Sequence, residues 1–361
     1  MANNRKNSRQ SQPIDRYNYV DRDIYSSSGG RRPTGNRYRR KKKSAGKRVA
    51  VVLVSLVLVL AAAVGVYATV MLNRVNRTPG IEEDLSKYTE QPSAAPTWDV
   101  INDDKVTNIL LIGTDKGDDG LSSRSDTTML VSIDNRTKSL RLVSFLRDMY
   151  LEIPTLEGKH KFNAAYANGG AALTMQTLEN NFRIQIDKYV EIDFENFEQV
   201  IDKMGGIDID MSAKSAAYEN EVMGSNLHEG VNRQEGRVAL YYERIRDIDS
   251  DFGRTGRQRQ VILAMLERFK GLNPIEMNNI AYDYLPHVTT NLSNSEILYL
   301  ISLMGQIPDY EQQTMHIPND NTFEDRRIDG AGQVLYMEDL TENCTLLRNF
   351  LYPTENSASG Q

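Results

Sequence analysis

The chain has 361 residues, with 43 Lys and Arg against 49 Asp and Glu. The charge is unevenly divided: residues 1–48 hold fifteen Lys and Arg and three Asp, which leaves 28 basic and 46 acidic residues, a net charge of −18, in the rest. This acidic balance argues against nucleic-acid binding, which needs a basic face. The one cysteine, Cys344, excludes an intrachain disulfide.

The N-terminal part predicts a membrane anchor. Residues 1–48 carry few aliphatic side chains and are predicted to be a disordered basic cytoplasmic tail. Residues 49–72 contain no charge in 24 positions, and a helix of this length spans about 36 Å, enough to cross a hydrocarbon core of ~30 Å. The apolar run exceeds the ~7–15 residues of a cleaved signal peptide, so it indicates an uncleaved signal anchor. The preceding basic residues place the N-terminus in the cytoplasm and the remainder outside the membrane.

Strand and helix patterns then alternate along the chain. Residues 73–105 contain three prolines and are predicted to form an extracytoplasmic stalk. Apolar runs and helical spacing predict strands at 107–113, 127–134, 139–146, 188–194, 206–211 and 314–318, and helices at 169–182, 195–206, 235–245, 256–270, 293–304 and about 337–350. This alternation predicts an α/β layered domain with a central mixed sheet covered by helices on both faces. We predict a catalytic domain at 106–350, with a motif core at 106–270, and a flexible tail at 351–361.

Four polar stretches lie at the ends of the predicted strands. They are "GTD" (113–115), "RSDT" (124–127), "LRD" (146–148) and "YYERIRDIDSDFGRTGRQRQ" (241–260). Open α/β sheets commonly bind ligands at strand ends, although each stretch alone would also fit an ordinary ion pair in a loop. We expect the four to form one site.

The fourth stretch places five arginines and no lysine between Arg244 and Arg259. A guanidinium group holds phosphate or carboxylate by two parallel hydrogen bonds. Arg254 and Gln258, four residues apart, share one helix face, whereas Arg259 points elsewhere and is predicted to be solvated. Asp251 either caps this helix or contributes to a metal site. Arginines together with carboxylates that suit Mg²⁺ indicate a site for a pyrophosphate ester.

A further stretch, "KHKFNAAYANGG" (159–170), supplies additional polar groups. Lys161 and Asn163 are predicted phosphate or sugar contacts. Tyr166 is predicted to pack in the core, and His160 to be a solvated loop residue.

Taken together, these stretches resemble the LytR–CpsA–Psr family of cell-envelope ligases. The resemblance covers about 106–270 and rests on six pieces in the family's order and spacing: "NILLIGTD", "RSDTTMLVSID", "LVSFLRDMYLEIP", "KFNAAYANGGAALTMQTLE", "VEIDFENFEQVIDKMGGIDID" and "GRVALYYERIRDIDSDFGRTGRQRQV". Leu146 stands where the family commonly has proline, and Phe162 where it has isoleucine. The family is known for moving a glycopolymer from a polyprenyl-pyrophosphate carrier onto peptidoglycan, with a phosphodiester formed at the 6-hydroxyl of N-acetylmuramic acid.

The resemblance also implies roles for individual residues. It implies that the pyrophosphate is held by Arg124, Arg147, Arg244, Arg246, Arg254 and Gln258, with Lys161 and Asn163 near the head group. It assigns Mg²⁺ to Asp115 and Asp126, with Asp251 as a further metal candidate. Arg147, Arg246, Asp115 and Asp126 are the implied catalytic residues. The lipid would lie in an apolar tunnel under the sheet.

The expected function is therefore that of a single-pass enzyme of the cell membrane in a Gram-positive-type envelope. Its expected partners are a polyprenyl-pyrophosphate-linked glycopolymer such as teichoic acid or capsule, peptidoglycan and the lipid bilayer. Two alternatives use the same residues. One is a hydrolase that splits the pyrophosphate with water, and the other is a non-catalytic regulator of envelope assembly that binds an anionic lipid.

Overall fold

The N-terminal helix is the first element of the structure, a computed structural model that describes residues 45–77, 92, 94–115, 125–245 and 251–353. Helix α1 runs over Ala45–Leu72, and its segment Val54–Leu72 is long and apolar enough to cross a membrane. The predicted basic tail and C-terminal tail lie mostly outside the described residues. The predicted domain limits therefore stay predictions.

The part of the chain after α1 combines strands and helices in alternation. The strands are β1 Val106–Thr114, β2 Ser125–Asp134, β3 Ser139–Phe145, β4 Tyr150–Glu152, β5 Lys159–Lys161, β6 Lys188–Asp193, β7 Ile207–Met211, β8 Gly230–Gln234, β9 Thr289–Thr290, β10 Glu311–Ile317, β11 Glu324–Ile328 and β12 Gly332–Tyr336. The helices after α1 are α2 Asn163–Phe182, α3 Phe194–Lys203, α4 Ala213–Met223, α5 Gly236–Arg244, α6 Asp251–Lys270, α7 Pro274–Tyr284, α8 Asn294–Met304 and α9 Thr341–Leu351.

A six-stranded mixed sheet forms the centre, in the order β10–β3–β2–β1–β6–β9. Strands β1, β2 and β3 are antiparallel neighbours, whereas β6 runs parallel to β1 and β10 runs parallel to β3. Three two-stranded ribbons, β4–β5, β7–β8 and β11–β12, lie outside this sheet. The predicted fold class, including the edge strand at 314–318, is confirmed.

Helices cover both faces of the sheet because apolar residues occupy both sides of its central strands. On one face, Leu110 of β1 belongs to the same buried cluster as Leu178 of α2 and Leu347 of α9. On the other face, Met129 of β2 clusters with Leu303 of α8. A strand that is buried on both sides has a continuous run of apolar residues in its sequence. For this reason these strands could be predicted from the sequence.

The segment before β1 contacts the domain at several points. The amide of Asn76 donates to the carbonyl of Val288 at 3.0 Å, and the amide of Ile101 donates to the carbonyl of Arg183 at 3.1 Å. The side chain of Trp98 packs against the main apolar cluster. The described parts of the predicted stalk are therefore hydrogen-bonded to the domain.

Helix α2 begins six residues before the predicted start at 169. Its backbone leaves helical geometry at Gly169 and Gly170, where Gly170 has a φ of 61°. Glycine adopts this left-handed conformation without a steric penalty, so the chain kinks there and resumes the helix. The stretch that carries Asn163 is thus the first turn of a helix.

Helices α3 and α5 approach each other closely at Gly236. A Cβ atom at this position would lie 2.0 Å from the carbonyl oxygen of Glu198, a backbone atom that cannot rotate away. Gly236 therefore fixes how α5, which ends at Arg244, lies against α3.

We expect Gly236→Ala to lower the free energy of unfolding by about 1–3 kcal/mol, the usual range for overpacking a tight contact. Gly256→Ala is the matched control, because the nearest atom to its new Cβ would be an Arg259 nitrogen 3.8 Å away. Replacing glycine inside a helix stabilises by up to about 1 kcal/mol. Denaturant unfolding of both variants measures the difference, and equal stabilities would contradict the close contact.

Candidate active site

The sheet topology brings three of the polar stretches to one edge. Because β1 and β2 are antiparallel, Asp115, directly after β1, lies at the edge where β2 begins with Ser125 and Asp126. Strand β3 is antiparallel to β2 and ends at Phe145, so Arg147 emerges at the same edge. The parallel partner of β1, strand β6, also ends there.

Arg147 lies between two carboxylates. Its guanidinium forms an ion pair with Asp126, and its Nε lies 3.4 Å from Asp148 Oδ2. Asp148 also accepts a hydrogen bond from Lys161 Nζ at 2.7 Å. Burial opposes the charged form of Arg147, but the attraction of Asp126 and Asp148 outweighs it, so the pKa of Arg147 lies above its ordinary value. The cluster holds its cations in fixed positions.

The start of α2 is attached to this cluster through the main chain. The amide of Asn163 donates to the carbonyl of Arg147 at 3.1 Å, and the amide of Phe162 donates to the carbonyl of Met149 at 2.8 Å. The side chain of Phe162 is buried beside Phe145, with ring centres 6.4 Å apart. Phe162 therefore anchors the turn that presents Lys161 and Asn163.

A wide groove of about 970 Å³ opens at this edge. We call it the polar groove, and its lining comprises Asp115, Asp126, Arg147, Asp148, Tyr150, Lys159, His160, Lys161, Asn163, Ala164, Ala167, Asn168, Asp329, Gly330 and Ala331. Its far end is the turn between β11 and β12. The groove therefore contains both acidic and basic side chains.

A smaller pocket of about 230 Å³ shares Asp115 and Asp126 with the groove. This phosphate-sized space, here called the polar pocket, is lined by Asp115, Asp126, Thr127, Phe194, Glu243, Arg244, Arg254 and Gln258. The guanidinium carbon of Arg244 lies 4.1 Å from the centre of the Phe194 ring. Gln258 Nε2 donates to Thr127 Oγ1 at 2.9 Å, which joins α6 to the sheet.

An apolar cavity of about 210 Å³ adjoins the polar pocket. Four residues, Thr127, Phe194, Glu243 and Gln258, line both spaces. The other walls of the cavity are Leu111, Ile112, Gly113, Met129, Val190, Ile192, Phe197, Ile262 and Met265. The cavity therefore lies between one face of the sheet and helices α3 and α6.

Glycine in the "GTD" stretch makes room for this junction. A Cβ at Gly113 would lie 3.1 Å from the Phe194 ring and 3.2 Å from Thr127 Cβ. Asp193 ends β6 and caps α3 by accepting a hydrogen bond from the amide of Asn196 at 2.8 Å. The cap turns the chain sharply, so Phe194 lies directly over Gly113.

The predicted site residues fall into two connected groups. Asp115, Asp126, Arg147, Lys161 and Asn163 line the polar groove, and Asp115, Asp126, Arg244, Arg254 and Gln258 line the polar pocket. Arg124 and Arg246 lie outside the described residues, as does the side chain of Asp251, the first residue of α6. Their roles stay predictions.

Two expectations about single residues were wrong. Arg259 is buried instead of solvated, and its Nη1 donates to Ser144 Oγ at 2.9 Å. It faces the sheet because α6 packs on β3, and burial lowers the pKa of Arg259 to about 10. His160 lies in strand β5 and lines the polar groove, where the expectation was a solvated loop.

Sequence reasoning did not select Glu243, Phe194 or Asp148 as site residues. Asp148 follows Arg147 in the quoted "LRD" stretch, and Glu243 precedes Arg244. Their position next to predicted site arginines in the sequence could have indicated both residues. Phe194 carried no such signal, because its place depends on the turn from β6 into α3.

A divalent cation would find oxygen ligands here on Asp115 and Asp126, the two carboxylates common to the groove and the pocket. Within the described part of the chain, no group of three or more Asp, Glu, His or Cys side chains is placed to hold a metal ion. Two carboxylates suit a cation such as Mg²⁺, which binds through one or two carboxylates and keeps water or phosphate oxygens as its remaining ligands.

The site therefore combines a polar pocket, whose lining includes two arginines and three acidic residues, with an adjoining apolar cavity beside a mixed sheet. The chain belongs to the LytR_cpsA_psr family, whose model matches residues 69–345. This confirms the resemblance drawn from the motifs.

Characterised relatives cover most of the same region. The regulatory protein MsrR of Staphylococcus aureus (strain COL) is 32% identical over 254 residues, which are 70% of this chain and 76% of MsrR. The polyisoprenyl-teichoic acid–peptidoglycan teichoic acid transferase TagU of Enterococcus faecalis is 32% identical over 238 residues, 64% of this chain and 75% of TagU.

Solved structures of TagT, a protein of Bacillus subtilis, share the fold. TagT bound to LIIa-WTA has a TM-score of 0.56 and 27% identity, over 73% of this chain and 97% of TagT. TagT with bound octaprenyl pyrophosphate lipid has a TM-score of 0.53 and 25% identity, over 73% of this chain and 96% of TagT.

The stacking of Arg244 on Phe194 predicts coupled effects on anion binding. We expect Phe194→Leu to weaken binding of inorganic pyrophosphate by about two- to fivefold, because a cation–π contact of this kind is worth about 0.5–1 kcal/mol. In a variant that already carries Arg244→Ala, the Phe194→Leu substitution should weaken pyrophosphate binding no further. Titration calorimetry on the two single variants and the double variant measures the coupling.

Phe197→Leu, which alters the apolar cavity but not the polar pocket, is the control and should leave pyrophosphate affinity unchanged. Independent, additive effects of Phe194→Leu and Arg244→Ala would contradict the stacking.

Proposed function

We propose that this protein is a membrane-anchored phosphotransferase that moves a glycopolymer from a polyprenyl-pyrophosphate carrier to peptidoglycan. The observation that carries the proposal is the common wall of the polar pocket and the apolar cavity. A lipid pyrophosphate needs cations around its phosphates and an apolar surface along its chain, in direct contact with each other. The bound octaprenyl pyrophosphate in TagT and the teichoic acid transferase activity in the name of TagU support the same class of substrate.

The donor would place its phosphates among Arg147, Arg244 and Arg254, with the sugar in the polar groove and the lipid chain in the apolar cavity. A hydroxyl of the acceptor glycan attacks the sugar-side phosphorus. The bond from this phosphorus to the bridging oxygen breaks, its electron pair stays on the lipid-side phosphate, and polyprenyl phosphate leaves. Fixed positive charge around the phosphoryl group lowers the energy of such a transition state.

The proton of the attacking hydroxyl needs an acceptor at the groove. Asp115 or Asp126 would take it, since both carboxylates face the groove and the pocket. The same two residues would hold Mg²⁺, which when bound supplies further neutralisation of the phosphate oxygens. The ion pair between Arg147 and Asp126 keeps the guanidinium at the junction of the two spaces.

The size of the polar groove is compatible with a glycan acceptor. A volume of about 970 Å³ exceeds by far the ~30 Å³ of one water molecule. A groove of this size is suited to sugar units on both sides of the reacting phosphorus. The acceptor is therefore proposed to be a glycan, with teichoic acid or capsule as the class of polymer transferred.

The proposed location follows from helix α1 and the charge around it. Fifteen Lys and Arg precede the apolar segment, and positive charge remains on the cytoplasmic side. The catalytic domain would then face the outside of the cell membrane, where peptidoglycan is.

We expect Arg147→Ala to lower the rate of polymer transfer by about 10²-fold or more, the usual effect of removing a group that stabilises transition-state charge. The assay uses the purified full-length protein in detergent, a polyprenyl-pyrophosphate-linked glycopolymer and peptidoglycan, and it measures polymer attached to peptidoglycan. Arg246→Ala should behave alike. Arg237→Ala, an exposed arginine on α5, is the control and should retain transfer.

Omitting peptidoglycan separates the alternatives. A phosphotransferase releases little polyprenyl phosphate when peptidoglycan is omitted. A hydrolase releases polyprenyl phosphate at the same rate with and without peptidoglycan. A binding protein releases none under either condition. Wild-type transfer by both Arg147→Ala and Arg246→Ala would rule out the proposed mechanism.

A further inference from the structure

Glu243 is a buried acid at the junction of the polar pocket and the apolar cavity. It is the penultimate residue of α5, the residue is only 4% exposed, and it lines both spaces. Within the described part of the chain, its Oε1 has no hydrogen-bond partner. The Nε of Arg244 lies 3.9 Å from this oxygen, beyond hydrogen-bond distance. A buried oxygen in this position is free to contact a ligand.

The surroundings of Glu243 disfavour its charged form. Burial raises the pKa of Glu243 to about 7, although Arg244 and Arg254 favour the carboxylate, and Asp126 adds to the increase. Among the described residues, these three groups, on α5, α6 and β2, are the charged side chains that act on Glu243, and Asp115 lines the same pocket. An ionised carboxylate next to a phosphate would repel it, whereas a neutral carboxylic acid can donate a hydrogen bond.

Two simpler roles do not account for this residue. Asp115 and Asp126 line the same pocket, but no group of three or more potential ligands among the described residues is placed to hold one metal ion, so Glu243 is not a third ligand beside them. A structural ion pair with Arg244 would require direct hydrogen bonds, but that guanidinium is stacked on Phe194 and partly exposed. Glu243 is therefore placed for a molecule that spans the pocket and the cavity.

We propose that Glu243 binds the phosphate next to the lipid chain, donating a hydrogen bond as a neutral acid and thereby selecting lipids with an anionic head group at the entrance of the apolar cavity. This inference rests on the proposed function, because it concerns the same lipid pyrophosphate. It adds a binding residue at the lipid-side phosphate, and it makes donor binding sensitive to pH.

The test measures binding of farnesyl pyrophosphate to the full-length protein in detergent at pH 6 and pH 8. For a group with a pKa of about 7, the neutral fraction falls about tenfold between these values, and apparent affinity falls with the competent fraction. Glu243→Gln keeps the shape and a donor but cannot ionise. The ratio of the wild-type affinity to the Glu243→Gln affinity should therefore fall about tenfold from pH 6 to pH 8. Taking the ratio removes the effect of titration of the ligand itself, which is equal for both proteins.

Two further variants make the result specific. Glu243→Leu removes the donor and should bind more weakly than Glu243→Gln at both pH values. Glu219→Gln is the matched control: Glu219 is also fully buried, its pKa is also raised to about 7 by burial, and it lines neither space. It should keep the pH dependence of the wild type.

The outcomes separate the two proposals. If the wild type binds farnesyl pyrophosphate with the same pH dependence as Glu243→Gln, the role of Glu243 is overturned and the proposed function is left intact. Equal affinities of Glu243→Leu and Glu243→Gln overturn the hydrogen bond. Absence of binding by all variants at both pH values overturns this inference together with the proposed function.

Discussion

The cost of holding charged side chains beside an apolar cavity governs this structure. Arg254 and Glu243 are both buried, and burial disfavours the charged form of such a side chain unless it is paired. The sheet offsets part of this cost because it brings carboxylates and guanidinium groups together at one edge, where Arg147 forms an ion pair with Asp126. We propose that an amphiphile with two phosphates occupies the polar pocket and extends its chain into the apolar cavity.

Much of the fold could be predicted because its central strands are apolar on both sides. The runs that form β1, β2 and β3 appear in the sequence almost at their observed bounds. The ribbon β11–β12 could not be predicted, since four of the five residues of β11 are charged, and none of the five is buried, so it has no buried side to create a periodic pattern. The start of α2 was missed because Gly169 and Gly170 indicate a break, whereas the chain only kinks there.

The candidate site divides in the same way. Asp115, Asp126 and Arg147 directly follow or begin strands, so the order of the strands alone predicts that they meet. Glu243 and Phe194 depend on the packing of α5 against α3, which is fixed by the close contact at Gly236 and has no local pattern. The helix-face argument also misplaced Arg259, because a helix that packs on a sheet can bury an arginine that donates a hydrogen bond to a hydroxyl group.

The central claim is that one ligand occupies the polar pocket and the apolar cavity together. The most direct measurement compares binding of farnesyl pyrophosphate and inorganic pyrophosphate to Ile262→Trp, which places a large ring in the cavity alone. The account predicts that this variant loses affinity for farnesyl pyrophosphate and keeps its affinity for inorganic pyrophosphate. Unchanged binding of farnesyl pyrophosphate would contradict it.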